Sequence, residues 1–202
     1  MPYIRQIKGH ATEARREKLD PLITKIVSKM VGAKNGDIYN ALTSGTYIFH
    51  DEWAMLFIKR QGKVRYYNFN DDCGVAICAI WEMMRRLNFH VETFRSRTPA
   101  ASGMEMTTDE HGLRSSIAEL VSLFDADRGE AVGEFNYSLS EITLALINAE
   151  KISKENAVRA LYEAAHTFYE GGPAQYEDAS ITDPEKGDTK GYLTYNKLHP
   201  QQ

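Results

Sequence analysis

The chain has 202 residues, 43% hydrophobic and 26% charged, with a net charge of −4 and a pI near 5.9. That is enough apolar material for one large or two small cores, and too acidic a balance for sequence-blind coating of nucleic acid. No apolar run approaches the roughly 20 residues of a membrane span, and Met1-Pro2-Tyr3-Ile4-Arg5-Gln6 lacks the basic-then-apolar pattern of a secretory signal. The expected setting is therefore the cytoplasm, away from membranes.

Asp20-Pro21 predicts the start of a first helix, with Asp as N-cap and Pro where a missing N–H costs nothing; its apolar face is Leu22, Ile23, Ile26, Val27 and Met30. Gly36-Asp37-Ile38-Tyr39-Asn40-Ala41-Leu42 opens a second helix that Gly45 interrupts. Between 54 and 69 the runs Met55-Leu56-Phe57-Ile58 and Val64-Arg65-Tyr66-Tyr67 flank Gly62, which predicts a β-hairpin. Helical periodicity returns at Val75, with Ile77, Cys78, Trp81 and Met84 on one side and Glu82, Arg85 and Arg86 near the other. Cys73 and Cys78, five apart, suit neither a disulfide framework nor a zinc knuckle and are expected to be packed thiols.

The polar, Pro- and Gly-containing stretch at 96–106 reads as a linker between a first unit, 1–95, and a second, 107–172. Thr107-Thr108-Asp109-Glu110 supplies a capping box for a helix with the stripe Leu113, Ile117, Leu120, Val121 and Phe124. Gly133-Glu134-Phe135 opens the next, and Ser153 caps a last helix that Gly171-Gly172-Pro173 stops. Residues 173–202 lack sustained periodicity and are expected to lie as a tail across the second unit, or to be partly flexible.

Gly36-Asp37-Ile38-Tyr39-Asn40-Ala41-Leu42 parallels Gly133-Glu134-Phe135-Asn136-Tyr137-Ser138-Leu139, and Ile77 to Glu82 parallels Val158 to Glu163. Each first motif follows an amphipathic helix, so a tandem duplication is expected. The fold class is then mainly α: two related three-helix units in a pseudo-symmetric body, the hairpin at 54–69 being an insertion in the first.

The ordered set of Met1-Pro2-Tyr3-Ile4, Leu19-Asp20-Pro21-Leu22-Ile23, Gly133 to Tyr137, Tyr162-Glu163, Tyr176-Glu177-Asp178 and Gly187-Asp188 resembles a short family of phage and prophage proteins of uncharacterised function. The resemblance covers 1–31 and 113–192. It departs at His166-Thr167-Phe168-Tyr169-Glu170 and at Gln175, where the family has a basic helix end and a proline. It implies a helical unit and a phage context, hence the host-cell cytoplasm, but no catalytic residues.

Asp37, Glu82, Glu134, Glu163 and Glu177 recur at matched places and form a candidate Mg²⁺ set, as carboxylates on neighbouring helices do in helical nucleotide hydrolases. Helix-end electrostatics account for Asp37 and Glu134 equally well. Arg85, Arg86, Arg95 and Arg97, interleaved with Trp81, suit a nucleotide-like or single-stranded nucleic-acid ligand; a solvated helix end is the plainer alternative. Of six histidines only His166, near Tyr162 on a helix, has acid–base surroundings. Nucleophile elbow, dinucleotide and phosphate-loop sequences are missing. The leading expectation is a non-catalytic phage accessory protein without cofactor, binding a protein partner or a small anionic ligand, with self-association open. The alternatives are a carboxylate- and Mg-dependent nucleotide hydrolase and a nucleic-acid-binding module.

Overall fold

The computed structural model describes residues 11–32, 37–62, 64, 66–89 and 112–170. They form six helices: α1 (Ala11–Val31), α2 (Ile38–Gln61), α3 (Tyr66–Leu87), α4 (Leu113–Ser122), α5 (Arg128–Asn148) and α6 (Lys154–Glu170). The linker at 96–106 and the tail at 173–202 lie outside the described residues. None of the described helices is long and apolar enough to cross a membrane.

The β-hairpin expected at 54–69 is not there. Residues 54–61 continue α2, and 66–69 are the first turn of α3, with no strand among the described residues. Gly62, at φ 78°, is the left-handed C-cap of α2, and its N–H closes on the Ile58 carbonyl at 2.8 Å. Period was misleading here because α2 is buried on nearly every side: Trp53, Ala54, Leu56, Phe57 and Ile58 are all inside. A helix packed all round loses the apolar–polar alternation that distinguishes it from a strand.

Other boundaries also move. Helix α1 runs through Pro21 and begins at Ala11, ten residues before it. Helix α5 begins at Arg128, capped by Asp127 accepting the Glu130 N–H at 3.1 Å, so Gly133 and Glu134 lie inside it and open nothing. Ser153 does cap α6, its hydroxyl accepting the Asn156 N–H at 3.2 Å.

The most extensive helix packing runs between the two halves of the chain. Helix α2 packs on α4 and α6, α5 on α1 and α3, α1 on α4, and α3 on α6. Lys18 reaches the Leu123 carbonyl while Lys25 pairs with Glu119, so α1 and α4 run antiparallel. Lys154 at the Leu87 carbonyl, with Cys73 against the Tyr47–Ala164–Phe168 cluster, sets α3 and α6 antiparallel too. Arg15 with Glu130 and Asp20 with Tyr137 align α1 parallel to α5. Arg114 with Asp51, and Arg60 with the Phe124 carbonyl, do the same for α4 and α2. Exchanging α1, α2, α3 for α4, α5, α6 maps these pairings onto themselves.

At the centre, Phe135 of α5 is ringed by Phe49, His50 and Trp53 of α2 and by Phe124, with centroids 5.2–6.2 Å away. Such aromatic pairs each add about 0.5–1.5 kcal/mol beyond area burial. The loop after α4 is held by cations from α1 and α2: Arg60 donates to the carbonyls of Phe124 and Asp125 at 2.7 and 2.6 Å. Arg15 meets Asp125, Glu130 and Glu134 there.

Gly45 passes through α2 because α1 crosses it: a Cβ there would land on the methyl of Met30, itself buried. Gly45→Ala should therefore lower stability by about 1 kcal/mol despite the better helix propensity of alanine. In a Met30→Ala background the same change should become stabilising. Chemical denaturation of the four proteins checks this; a stabilising Gly45→Ala in the parent would show that the crossing tolerates the extra carbon.

Candidate binding face

Helix α3 has apolar residues on two faces. Its buried stripe includes Val75, Ala76, Ala79, Ile80 and Met83, on the side that packs against α5 and α6. Two further bulky apolar side chains point the other way: Ile77 is 55% exposed and Trp81 67%. They are four residues apart and share one face, which Arg85 continues one turn further on. They are the exposed large hydrophobics among the described residues, and adjoining apolar exposure of this kind is what interaction sites show. Of the residues the sequence groups on one side of this helix, Ile77 and Trp81 are exposed and Cys78 and Met84 half-buried, while Glu82, expected near the other side, is buried.

Beneath this stripe, Glu82 is buried and accepts from Arg85 Nε at 2.9 Å and Nη2 at 2.7 Å, and from Arg86 Nε at 2.6 Å. Arg86 also donates to Glu141 on α5 at 3.1 Å. The hydrogen bond from Arg85, reinforced by Arg86, holds the Glu82 carboxyl down to about 2. Two guanidinium groups are therefore balanced by two carboxylates, and an anionic ligand would have to compete with both. Arg95 and Arg97 lie outside the described residues.

The carboxylates proposed for Mg²⁺ are engaged separately. Asp37 caps α2, accepting from the Asn40 backbone at 3.1 Å and its side chain at 2.6 Å. Glu134, buried in α5, accepts the Asp125 N–H at 2.5 Å and faces Arg15 at 3.7 Å; burial raises its pKa against both. Glu163 accepts the hydroxyl of Tyr39, Glu82 is held as described, and Glu177 lies outside the described residues. Among the described residues no group of three or more His, Cys, Asp and Glu side chains is placed to hold a metal ion. Tyr162 and His166 lie together on α6 with ring centroids 5.7 Å apart, His166 being exposed.

Sequence reasoning missed a buried acid–histidine pair among the described residues. His50 Nδ1 lies 2.6 Å from Asp72 Oδ1, and both side chains are 1% exposed. The imidazole stacks on Phe168 at 5.0 Å and meets Phe135 edge-on. Its Nε2 and the Asp72 Oδ2 have no hydrogen-bond partner among the described residues. Burial raises the Asp72 pKa, against the attraction and the hydrogen bond of His50. A signal existed: Asp72, Val75, Ala79 and Met83 follow the helical period, placing Asp72 on the buried side of α3. Neither residue has a metal-like companion at short spacing, so the pairing across two helices was invisible locally. Cys73, beside it, has its thiol pushed up to about 11 by burial and then by Asp72, which makes it unreactive.

No protein-family model matches the chain, and no curated protein or solved structure matches it either.

Removing one partner of the His50–Asp72 pair leaves the other buried and unsatisfied. Asp72→Ala is expected to cost about 3 kcal/mol, lowering Tm by roughly 6–12 °C in a chain this size. The double variant His50→Leu, Asp72→Leu should cost less than the two single changes combined. Additive losses in thermal melts would argue that the two groups are energetically independent.

Glu82 gives a pH signature. Its folded pKa lies below the unfolded 4.5, so its contribution is present above pH 4.5 and is lost as pH falls toward about 2. Glu82→Gln should cost about 1 kcal/mol near neutral pH, the surface position of its arginine partners screening the pairing. The gap between parent and variant should close as pH approaches 2, measured by urea titration at successive pH values. A gap that stays constant would assign its cause to packing.

Proposed function

We propose that the protein is a non-catalytic binding module that engages a partner protein through the Ile77–Trp81 face of α3. The observation that carries this reading is the outward placement of these two residues, 55% and 67% exposed, on a helix that buries alanines. Tryptophan is enriched among the few residues that dominate interface energetics, and a flanking arginine such as Arg85 is a frequent companion. A nucleotide-like ligand is the less favoured occupant, because Arg85 and Arg86 already serve Glu82 and Glu141. The hydrolase alternative has no comparable support, since its carboxylates are spread over separate structural bonds.

The resemblance in the opening motif, the Gly133-Glu134-Phe135-Asn136-Tyr137 segment and the Tyr176-Glu177-Asp178 segment supports a phage or prophage accessory role in the host cytoplasm. The reciprocal helix pairings support an internal duplication, in a register that differs from the motif alignment. By contact, the counterpart of Glu134, engaged by Arg15 of α1, is Glu52, engaged by Arg114 of α4 at 2.9 Å, rather than the capping Asp37.

A photo-cross-linking residue in place of Ile77, in cells where the protein normally acts, should capture one discrete protein adduct. Trp81→Ser should reduce that adduct at least tenfold while moving Tm by no more than about 2 °C, as exposed substitutions do. An adduct that survives Trp81→Ser, or no discrete adduct at all, would falsify this reading of the face.

A further inference from the structure

Helix α3 keeps a glycine that its own packing does not call for. At Gly45 a Cβ would land on Met30, and the crossing of α1 explains the residue. At Gly74 a Cβ would meet nothing within 4 Å among the described residues. Glycine inside a helix is destabilising relative to alanine, so an open position is one where alanine would be the better residue. Gly74 precedes Ile77 and Trp81 by one and two helical turns and shares their face. The exposed stripe on α3 is therefore a notch followed by an isoleucine and a tryptophan.

The same helix laid against itself in the opposite direction fills that notch. A two-fold axis passing between Ile77 and Cys78 sets Trp81 of each copy level with Gly74 of the other, and Ile77 level with Cys78. Charge agrees with this register. The midpoint of Asp71 and Arg85 is Cys78, half a residue or about 0.75 Å further along the axis. Asp71, Cys78 and Arg85 recur at two-turn intervals and so share one flank of the stripe, and reversing the helix about such an axis keeps each flank facing itself. Antiparallel copies therefore set Arg85 against Asp71 twice, where parallel copies would set Arg85 against Arg85. Both groups have capacity to spare: Arg85 gives Nε and Nη2 to Glu82 and keeps Nη1, and Asp71 accepts from Arg128 with lone pairs left over.

We propose that the protein pairs with a second copy of itself through α3, antiparallel about a two-fold axis beside Cys78, with Trp81 of each copy seated over Gly74 of the other and Arg85 at the other's Asp71. This rests on the reading of that face as a protein-binding site and names its occupant. One helix face per copy makes a small interface of the weak class, and a dissociation constant on the order of 10 μM is expected.

Sedimentation equilibrium of the intact chain from about 1 to 500 μM brackets that value and should show monomer passing to dimer. Gly74→Gln is the informative variant, because its side chain enters open space in the single molecule and suits a helix better than glycine. Its Tm in dilute solution should hold or rise while pairing weakens about tenfold or more. Register has its own readout: in Cys73→Ser the one remaining thiol is Cys78, and a short bis-maleimide should join two copies through it, but not when Gly74→Gln is added. A chain that stays monomeric throughout overturns the proposal, as does a dimer that Gly74→Gln leaves intact or one that Cys78 fails to cross-link. The mass of the adduct captured from position 77 separates this proposal from the reading beneath it. Twice the chain mass satisfies both, whereas a monomeric chain that captures a different protein overturns the second copy and keeps the partner-binding face.

Discussion

A helix that is apolar on nearly all sides has to be surrounded, and the molecule contains two of them. In α2 and α5 more than half the residues are buried, polar ones such as Thr43, Thr46, Ser138 and Thr143 included. Those hydroxyls do not need outside partners, because Thr46 and Thr143 bond to carbonyls four residues earlier in their own helices at 2.8 Å. Each central helix then requires amphipathic neighbours, and each takes them chiefly from the opposite half: α4 and α6 around α2, α1 and α3 around α5. The aromatic group of Phe49, Trp53, Phe124 and Phe135 fills the space where the two meet. Ion pairs such as Arg114 with Asp51 and Glu52, or Arg128 with Asp71, flank this arrangement, while Asp72, Glu82 and Glu134 are buried beside a partner.

How much of this was legible in the sequence follows from the same contrast. The amphipathic helices could be read: α4 shows Ile117, Leu120, Val121 and Phe124 at helical spacing, and all four are buried. Ser153 was readable as a cap because capping is local chemistry. The central helix α2 was not, since Met55 to Ile58 meet apolar neighbours on several sides and so carry no period. Glycine deepened the error: Gly62 ends a helix where a hairpin turn was expected, and Gly45 sits mid-helix where Met30 crosses. What a glycine does depends on what approaches it, which no window of sequence contains.

The same limit governs the site. Trp81 was picked out, with Arg85 and Arg86, as a candidate for ligand binding, and it is exposed. What could not be read was which apolar residues of α3 face inward, since Ile80 and Met83 are buried while Ile77 and Trp81 are not. Glu82 illustrates the converse: an apparent surface acid is buried, and its two arginines follow it. His50 and Asp72, 22 positions apart on different helices, come together only through the placement of α2, α3 and α6.

The cross-half pairing also fixes the order in which the protein can be made. Arg15 meets Glu130 across 115 positions of chain, Tyr39 meets Glu163 across 124, and Tyr137 meets Asp20 across 117. Such separations place the contact order well above that of an ordinary helical bundle, whose neighbours in space are neighbours in sequence. While a ribosome is still adding α5 and α6, the emerged helices lack the α6 that packs on α2 and α3 and the α5 that packs on α1 and α3. At synthesis rates of about 5–20 residues per second, the apolar flanks of α2 stay uncovered for several seconds. A chain cut short before α6 would therefore lack the helix that packs most extensively on α2.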